Sequence, residues 1–397
     1  MLSLEVIRKQ EAMRTKIILN AVVLFMCVNA FGADNAAMAL PASNKEAKGV
    51  LETIVAFGAN NNAMYNAART GNLKLLKKLK EEGADINVRD NNGKTLMHQA
   101  AEYGRLEIMK WLKEQGVEIN AKDITDRTPI HYAALYDSLL VIKWLAEQGA
   151  DVNVEDKFRV TPIFYTVWKG NLEAIKWFKD QGVDIHAKTE MGVTLIYRAV
   201  ENGHLEIIKW LKEQGAEINV KYSTGETLMH IAAMGGHLKV MKWLKEQGLD
   251  VNDEANGGYT PMHKATWRGH IEVMKWLKEQ GTDVNVKDNN GWTPMHHAAK
   301  YGRLEVMKWL KDQGADINAK TNDGLTPMHM AANSFNNSIK TMTWLKEQGA
   351  DINAKTNEGK TPLDLAYELE ERFPHIAKTM IEWLKANGAV EQQVDVF

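Results

Sequence analysis

The chain has 397 residues, 49 of them basic and 51 acidic, a formal net charge of -2 and an apolar share of 45%. These values exclude collagen-like and disordered chains, and a single cysteine, Cys27, excludes a disulfide scaffold. Charge spread this evenly makes no field to draw in nucleic acid or anionic lipid, so neither is expected as a partner.

The first element in chain order reads as a secretory signal peptide over residues 1–30. Arg14 and Lys16 precede the apolar run Ile17 to Val28, and small residues follow it. Val28 and Ala30 give the small-x-small spacing that places cleavage after Ala30. The run is 12 residues long, short of the ~20 that a permanent transmembrane helix needs, so no membrane association is expected after removal. Residues 1–12 carry two acids and two bases that an export signal does not require, which makes Met13 the better start. Cleavage removes Cys27 and leaves no thiol nucleophile. The brevity of the signal is bacterial in character, and the expected destination is the periplasm or the medium. Residues 31–43 read as a linker. Within 44–59, Val50, Leu51, Ile54 and Val55 lie at helical spacing and fit an N-terminal capping helix.

From Asn91 the chain repeats every 33 residues, with Trp111, Trp144, Trp177, Trp210, Trp243, Trp276 and Trp309 each inside a variant of K-W-L-K-E-Q-G. Trp344 and Trp383 continue the series at 35 and 39. A fixed period of this size means stacked supersecondary units. In the unit Asn289 to Thr321, Asn289, Asn290 and Gly291 form a turn, and Thr293 with Pro294 opens a helix whose buried side is Met295, Ala298 and Ala299. Gly302 ends it. Leu304, Val306, Met307, Trp309 and Leu310 form the apolar stripe of a second helix, stopped by Gly314. Each unit is helix, turn, helix, hairpin.

The motif T-P-M-H-x-A-A at Thr293 to Ala299, matched closely at Thr128, Thr260 and Thr326, and G-A-D-I-N-A at Gly314 to Ala319, resemble the ankyrin repeat. The resemblance covers about residues 60–390 and implies an all-α solenoid of about ten units, with 391–397 as a C-terminal tail. The last unit, from Asn357, has Asp364 in place of the histidine and a turn stretched by Glu370 to Phe373, as a terminal cap needs. Asn333 to Ser338 expands another turn by two residues.

The recurring histidines His98, His131, His230, His263, His296 and His329 belong to different units, and helices packed ~8–10 Å apart cannot bring two such rings to one metal. In ankyrin repeats this histidine bonds to adjoining backbone, and that role is expected here. The tryptophans of the regular series are expected in the core, and the Lys, Glu and Gln around them on a solvated face. No phosphate loop, H-E-x-x-H, G-x-S-x-G or paired-carboxylate motif is present, so no enzyme, no metal and no cofactor is expected.

The resemblance places partner contacts on hairpin tips and on the exposed end of the first helix. At those positions the rings and arginines fall into two patches: Tyr103, Arg127, Tyr136, Phe158 and Trp168, then Tyr259, Trp267, Arg268, Trp292 and Tyr301. Such residues build interface hot spots. Neither Trp168 nor Trp267 lies on the apolar stripe, so truncating either is expected to spare stability. Asp126 and Arg159 replace a turn glycine, Asp137 replaces the inter-helix glycine, and Phe164, Thr166 and Val167 replace His, Ala and Ala, which puts the regularity of the stack in doubt there. The expected function is that of an exported monomer binding a protein partner as scaffold, inhibitor or secreted effector. The alternatives are a structural spacer that uses only its ends and, with least support, a small-ligand receptor or enzyme.

Overall fold

A computed structural model describes residues 60–335 and 338–391. The signal peptide, the linker and the capping helix of the sequence reading lie outside these residues, as does the tail beyond Glu391. Among the described residues no helix is long and apolar enough to cross a membrane.

Twenty helices follow one another among the described residues, two to a repeat. They are α1 (60–70), α2 (Leu73–Glu81), α3 (Leu96–Glu102), α4 (Leu106–Glu114), α5 (Pro129–Leu135), α6 (Leu139–Glu147), α7 (Pro162–Lys169), α8 (Leu172–Asp180), α9 (Leu195–Glu201) and α10 (Leu205–Glu213). The series continues with α11 (Leu228–Gly235), α12 (Leu238–Glu246), α13 (Pro261–Arg268), α14 (Ile271–Glu279), α15 (Pro294–Lys300), α16 (Leu304–Asp312), α17 (Pro327–Ala332), α18 (Ser338–Glu347), α19 (Pro362–Glu370) and α20 (Pro374–Ala386). The chain divides after Lys169 into two compact units, one holding α1 to α7 and the other α8 to α20.

Within each unit the short first helices stack on one another, α3 on α5 on α7 and then α9 through α11, α13, α15 and α17 to α19. Their paired small residues, such as Ala100 and Ala101 or Ala298 and Ala299, are fully buried and let the backbones approach. The second helices carry bulkier stripes and meet one another more sparingly.

The ladder histidines hold this layer together. In the first unit the His98 Nδ1 accepts from the Thr95 N–H at 3.0 Å, and its Nε2–H donates 3.0 Å forward to the Arg127 carbonyl. His131, His230, His263, His296 and His329 repeat the arrangement. The imidazole thus completes a capping box at its own helix start and ties the next unit to it. Asp364 preserves the box without the forward tie, its carboxylate accepting from the Thr361 N–H at 2.7 Å. A second set reaches backward. His237 Nε2 donates to the Glu201 carbonyl at 2.8 Å, and Arg105 Nε does the same to Arg69. Gly203 is needed here twice over: its φ is +76°, and a Cβ would come within 2.4 Å of His237.

Three expectations are corrected. The series tryptophans are a seam rather than a core: Trp111 and Trp276 are buried, while Trp144, Trp177, Trp210, Trp243 and Trp309 are half-buried. The lysine late in one second helix lies over the tryptophan of the next, as Lys80 does over Trp111 at 5.9 Å and Lys212 over Trp243 at 5.6 Å. The same lysine donates to the following glutamine, Lys80 to Gln115 and Lys212 to Gln247, so the face is solvent-exposed, as expected, and is also tied repeat to repeat. The hairpins are single-rung turns, among the described residues showing only one isolated bridge, Lys188 with Thr194. The suspected irregularity is absent from the turns: Asp126, Asp137 and Arg159 take φ of 62°, 64° and 55°, the left-handed conformation of the glycines they replace.

A break falls elsewhere. Neighbouring hairpins are joined by backbone bonds such as Ile124 N to Asn92 O in the first unit and Asn256 N to Thr224 O in the second. Among the described residues none joins the turn at Met191 to that at Ser223. Tyr197 occupies the histidine position there and meets Tyr222 edge-on at 4.8 Å, leaving a cleft of about 590 Å³ lined by Ile185, Met191, Ile196 and Val220. The two expanded turns of the last units meet each other, Phe335 against Phe373 at 4.6 Å.

Candidate binding surface

Three aspartates organise the face formed by hairpins and first helices. Asp123, Asp156 and Asp288 each close their own turn with one oxygen, Asp123 accepting from Thr125 N at 2.7 Å and Arg127 N at 3.0 Å. The other oxygen takes a donor nine residues on: the Tyr132 hydroxyl at 2.7 Å, the Tyr165 hydroxyl at 2.9 Å and His297 Nε2 at 3.3 Å. Burial acts to raise the Asp123 pKa, but the bonds from Tyr132 and Thr125 outweigh it and hold the carboxyl below its usual range.

At three junctions, counted from turn positions Asp90, Asp123 and Tyr222, the residue four places on meets the residue nine places after the next turn position. Lys94 lies 4.2 Å over the Tyr132 ring, Arg127 lies 5.4 Å over Tyr165, and Lys264 bonds Glu226. Arg127 is also paired with Asp156 at 3.3 Å, so it is turned into the protein rather than offered to a partner.

In the second unit this diagonal becomes an aromatic cluster. Trp267 packs against Tyr259 at 5.1 Å, His297 at 5.5 Å and Tyr301 at 6.4 Å, and Trp292 meets His297 at 5.1 Å. The Lys264 ammonium sits inside, 4.2 Å over Trp267. Tyr259, Trp267 and Trp292 are therefore half-buried, and the buried Trp267 indole N–H makes no hydrogen bond among the described residues. The expectation that truncating Trp267 spares stability gives way to an expected loss, because its half-buried ring is a wall of this cluster. Arg268 and Tyr301 remain exposed at the rim.

In the first unit the exposed members form a row along the inter-helix turns. Tyr103 and Tyr136 stack at 6.4 Å with 19° between their planes. Arg69 lies over Tyr103 at 6.0 Å, and Lys169 sits 5.9 Å from Tyr136 and 5.8 Å from Trp168. The rings are 40%, 47% and 53% exposed in the order Tyr103, Tyr136, Trp168. Phe158 is exposed on a hairpin turn and has no ring contact with this row among the described residues.

Sequence reasoning missed Tyr132, Tyr165, Lys264 and His297, all on the first helices. The signal was present in the aspartates at 123, 156 and 288 and in the donors nine residues beyond each. No group of three or more His, Cys, Asp or Glu is placed to hold a metal among the described residues.

Helix pairs stacked by histidine ties, with bonded turns projecting beside them, define a repeat scaffold that presents a surface. The family model for ankyrin repeats, in its three-copy form, matches residues 24–123, 63–156, 130–222, 196–288, 256–321 and 280–356. The chain belongs to the ankyrin repeat family, whose repeats are typically protein–protein interaction modules. No curated protein sequence matches it.

Proposed function

We propose that this protein is an exported module that binds a protein partner, serving as scaffold, inhibitor or secreted effector. The observation that carries the reading is the row Tyr103, Tyr136 and Trp168, three large rings exposed at the ends of successive first helices, the first two stacked and the last two bridged by Lys169. A contiguous exposed ring surface costs solubility and adds little to the core, whereas it supplies the anchors of an interface. Trp267, Arg268 and Tyr301 form the corresponding surface of the second unit. The export reading rests on the sequence of residues 13–33 and on the 12-residue apolar run within it.

Affinity capture from the periplasm or medium, followed by mass spectrometry, tests the binding reading. Wild-type protein retains a partner that Tyr136→Ala and Trp168→Ala release. Equal capture by all three proteins would leave the spacer reading in its place. For export, N-terminal sequencing of the recovered protein begins at or near Phe31, and intact Met1 protein confined to the cytoplasm contradicts it.

A further inference from the structure

We propose that the partner segment read by this surface is acidic, an extended peptide whose carboxylates complete cations that make no ion pair among the described residues. The proposal deepens the protein-binding reading and rests on it. Arg69 and Lys169, at the ends of α1 and α7, and Arg105, on the turn between α3 and α4, are exposed in the first unit. Their contacts there are ring faces and neutral oxygens: Arg69 bonds Asn66 Oδ1 at 3.4 Å, Arg105 Nε donates to the Arg69 carbonyl at 2.8 Å, and Lys169 faces Tyr136 and Trp168. None of the three makes an ion pair among the described residues. Deeper in the same unit, Lys94 pairs with Glu102 at 2.9 Å and Arg127 with Asp156. The acids on these turns are Glu102, already engaged by Lys94, and Asp137.

The second unit repeats the pattern independently. Arg268 follows Trp267 in the chain, Lys300 precedes Tyr301, and Arg303 lies two residues beyond it. Lys300 reaches the Asn333 carbonyl at 3.4 Å and Arg303 the Trp267 carbonyl at 3.1 Å, and none of the three makes an ion pair among the described residues. The inner cations Lys264 and Arg198 again have their carboxylates, Glu226 and Glu201. On the second helices some lysines are neutralised locally, Lys110 by Glu107 and Lys209 by Glu206, while others, such as Lys143 and Lys242, make no ion pair among the described residues and stand away from these rings. In both units, cations without an ion pair among the described residues thus stand beside the rings.

A guanidinium or ammonium against a ring face still presents N–H groups away from the ring, so a carboxylate can bind it while the stack persists. A side chain of the same peptide can lie against the exposed rings between the cations. A peptide suits this better than a nucleic acid, because the cations are few and interspersed with rings, whereas a phosphate backbone is held by a continuous run of basic side chains.

The test is fluorescence anisotropy on the full chain with labelled short peptides of repeating Glu-Tyr-Gly, Lys-Tyr-Gly and Gln-Tyr-Gly, and with oligothymidylate. The Glu-Tyr-Gly peptide binds most tightly. Reversal of Arg69, Lys169, Arg268 and Lys300 to Glu weakens it by roughly tenfold or more, while the control Lys143→Glu/Lys242→Glu on the second helices changes it by less than about twofold. The proposal is overturned if the acidic peptide shows no binding, if the neutral or basic peptide or oligothymidylate binds as tightly, or if the control loses as much. Should Tyr136→Ala release the captured partner while the charge reversals retain it, protein binding stands and the acidic class falls. Should capture be indifferent to both ring and charge variants, both readings fall together.

Discussion

The Lys264 ammonium lies 2.5 Å from a Glu226 carboxylate oxygen and 4.2 Å over the Trp267 ring, with the two charged side chains only 8% and 16% exposed. Burial acts to raise the Glu226 pKa, yet the Lys264 bond and charge outweigh it and hold the carboxyl below its usual value. Removing one partner leaves a buried charge alone, so Glu226→Gln and Lys264→Met should each cost about 3 kcal/mol in urea unfolding. The double variant Glu226→Leu/Lys264→Met should recover most of that loss. A double variant that simply adds the two single losses would show that the pair is not coupled.

The ladder imidazoles make stability depend on pH in a definite direction. Burial pushes His98, His131 and His296 down to about 4 and His263 to about 3, against bonds to backbone carbonyls that act the other way. The unfolded chain therefore takes up protons first as pH falls. Their contribution is complete above about pH 6.5 and is lost from there toward pH 4, at up to about 1.4 kcal/mol per pH unit for each ring. Urea midpoints at pH 7.5, 6 and 5 should fall in that order. His263→Gln should flatten the slope, and at neutral pH His263→Ala should cost about 1 to 3 kcal/mol.

Arg159 holds a φ of 55° on an exposed turn, and its ion pair with Glu155 is open to solvent. Arg159→Gly should raise stability by about 1 kcal/mol, since glycine takes this conformation without strain. Gly203→Ala should do the opposite and lower the melting temperature, because the new methyl group meets His237. Thermal melts of the two variants shifting in the same direction would contradict the assignment.

The tryptophans separate by position. Trp276→Ala should cost about 3 to 5 kcal/mol, the half-buried Trp267→Ala about 2, and the exposed Trp168→Ala less than about 0.5. Partner binding should follow a different order, with Trp168→Ala weakening it by about 2 kcal/mol. Chemical denaturation and a binding titration on the same three proteins check both orders.

The repeat, its helix starts and the backbone role of its histidines were legible because each rests on local chemistry repeated at one spacing: a threonine cap, an imidazole three residues on, a glycine at the end. The pairing of Glu226 with Lys264 was not legible, since it joins residues of neighbouring units whose types differ from one unit to the next. The same holds for Lys80 over Trp111: the lysine belongs to one unit and the ring to another, so the tryptophan looks like core when read within its own helix. Asp126, Asp137 and Arg159 misled in the other direction. A missing glycine suggests a lost turn, but neighbouring bonds hold these residues in the turn at the cost of strain.

The cleft beside Tyr197 and Tyr222 marks where two neighbouring repeats share neither a forward imidazole tie nor a hairpin bond among the described residues and keep the backward bond from His237 to the Glu201 carbonyl. In a stack whose repeats cohere only with their neighbours, the cheapest front between melted and intact segments lies at the weakest junction. Denaturation of the second unit therefore has a natural stopping place there, and the repeats on the far side of Tyr222 can stay folded, as a separate cooperative block, after those before it have been lost.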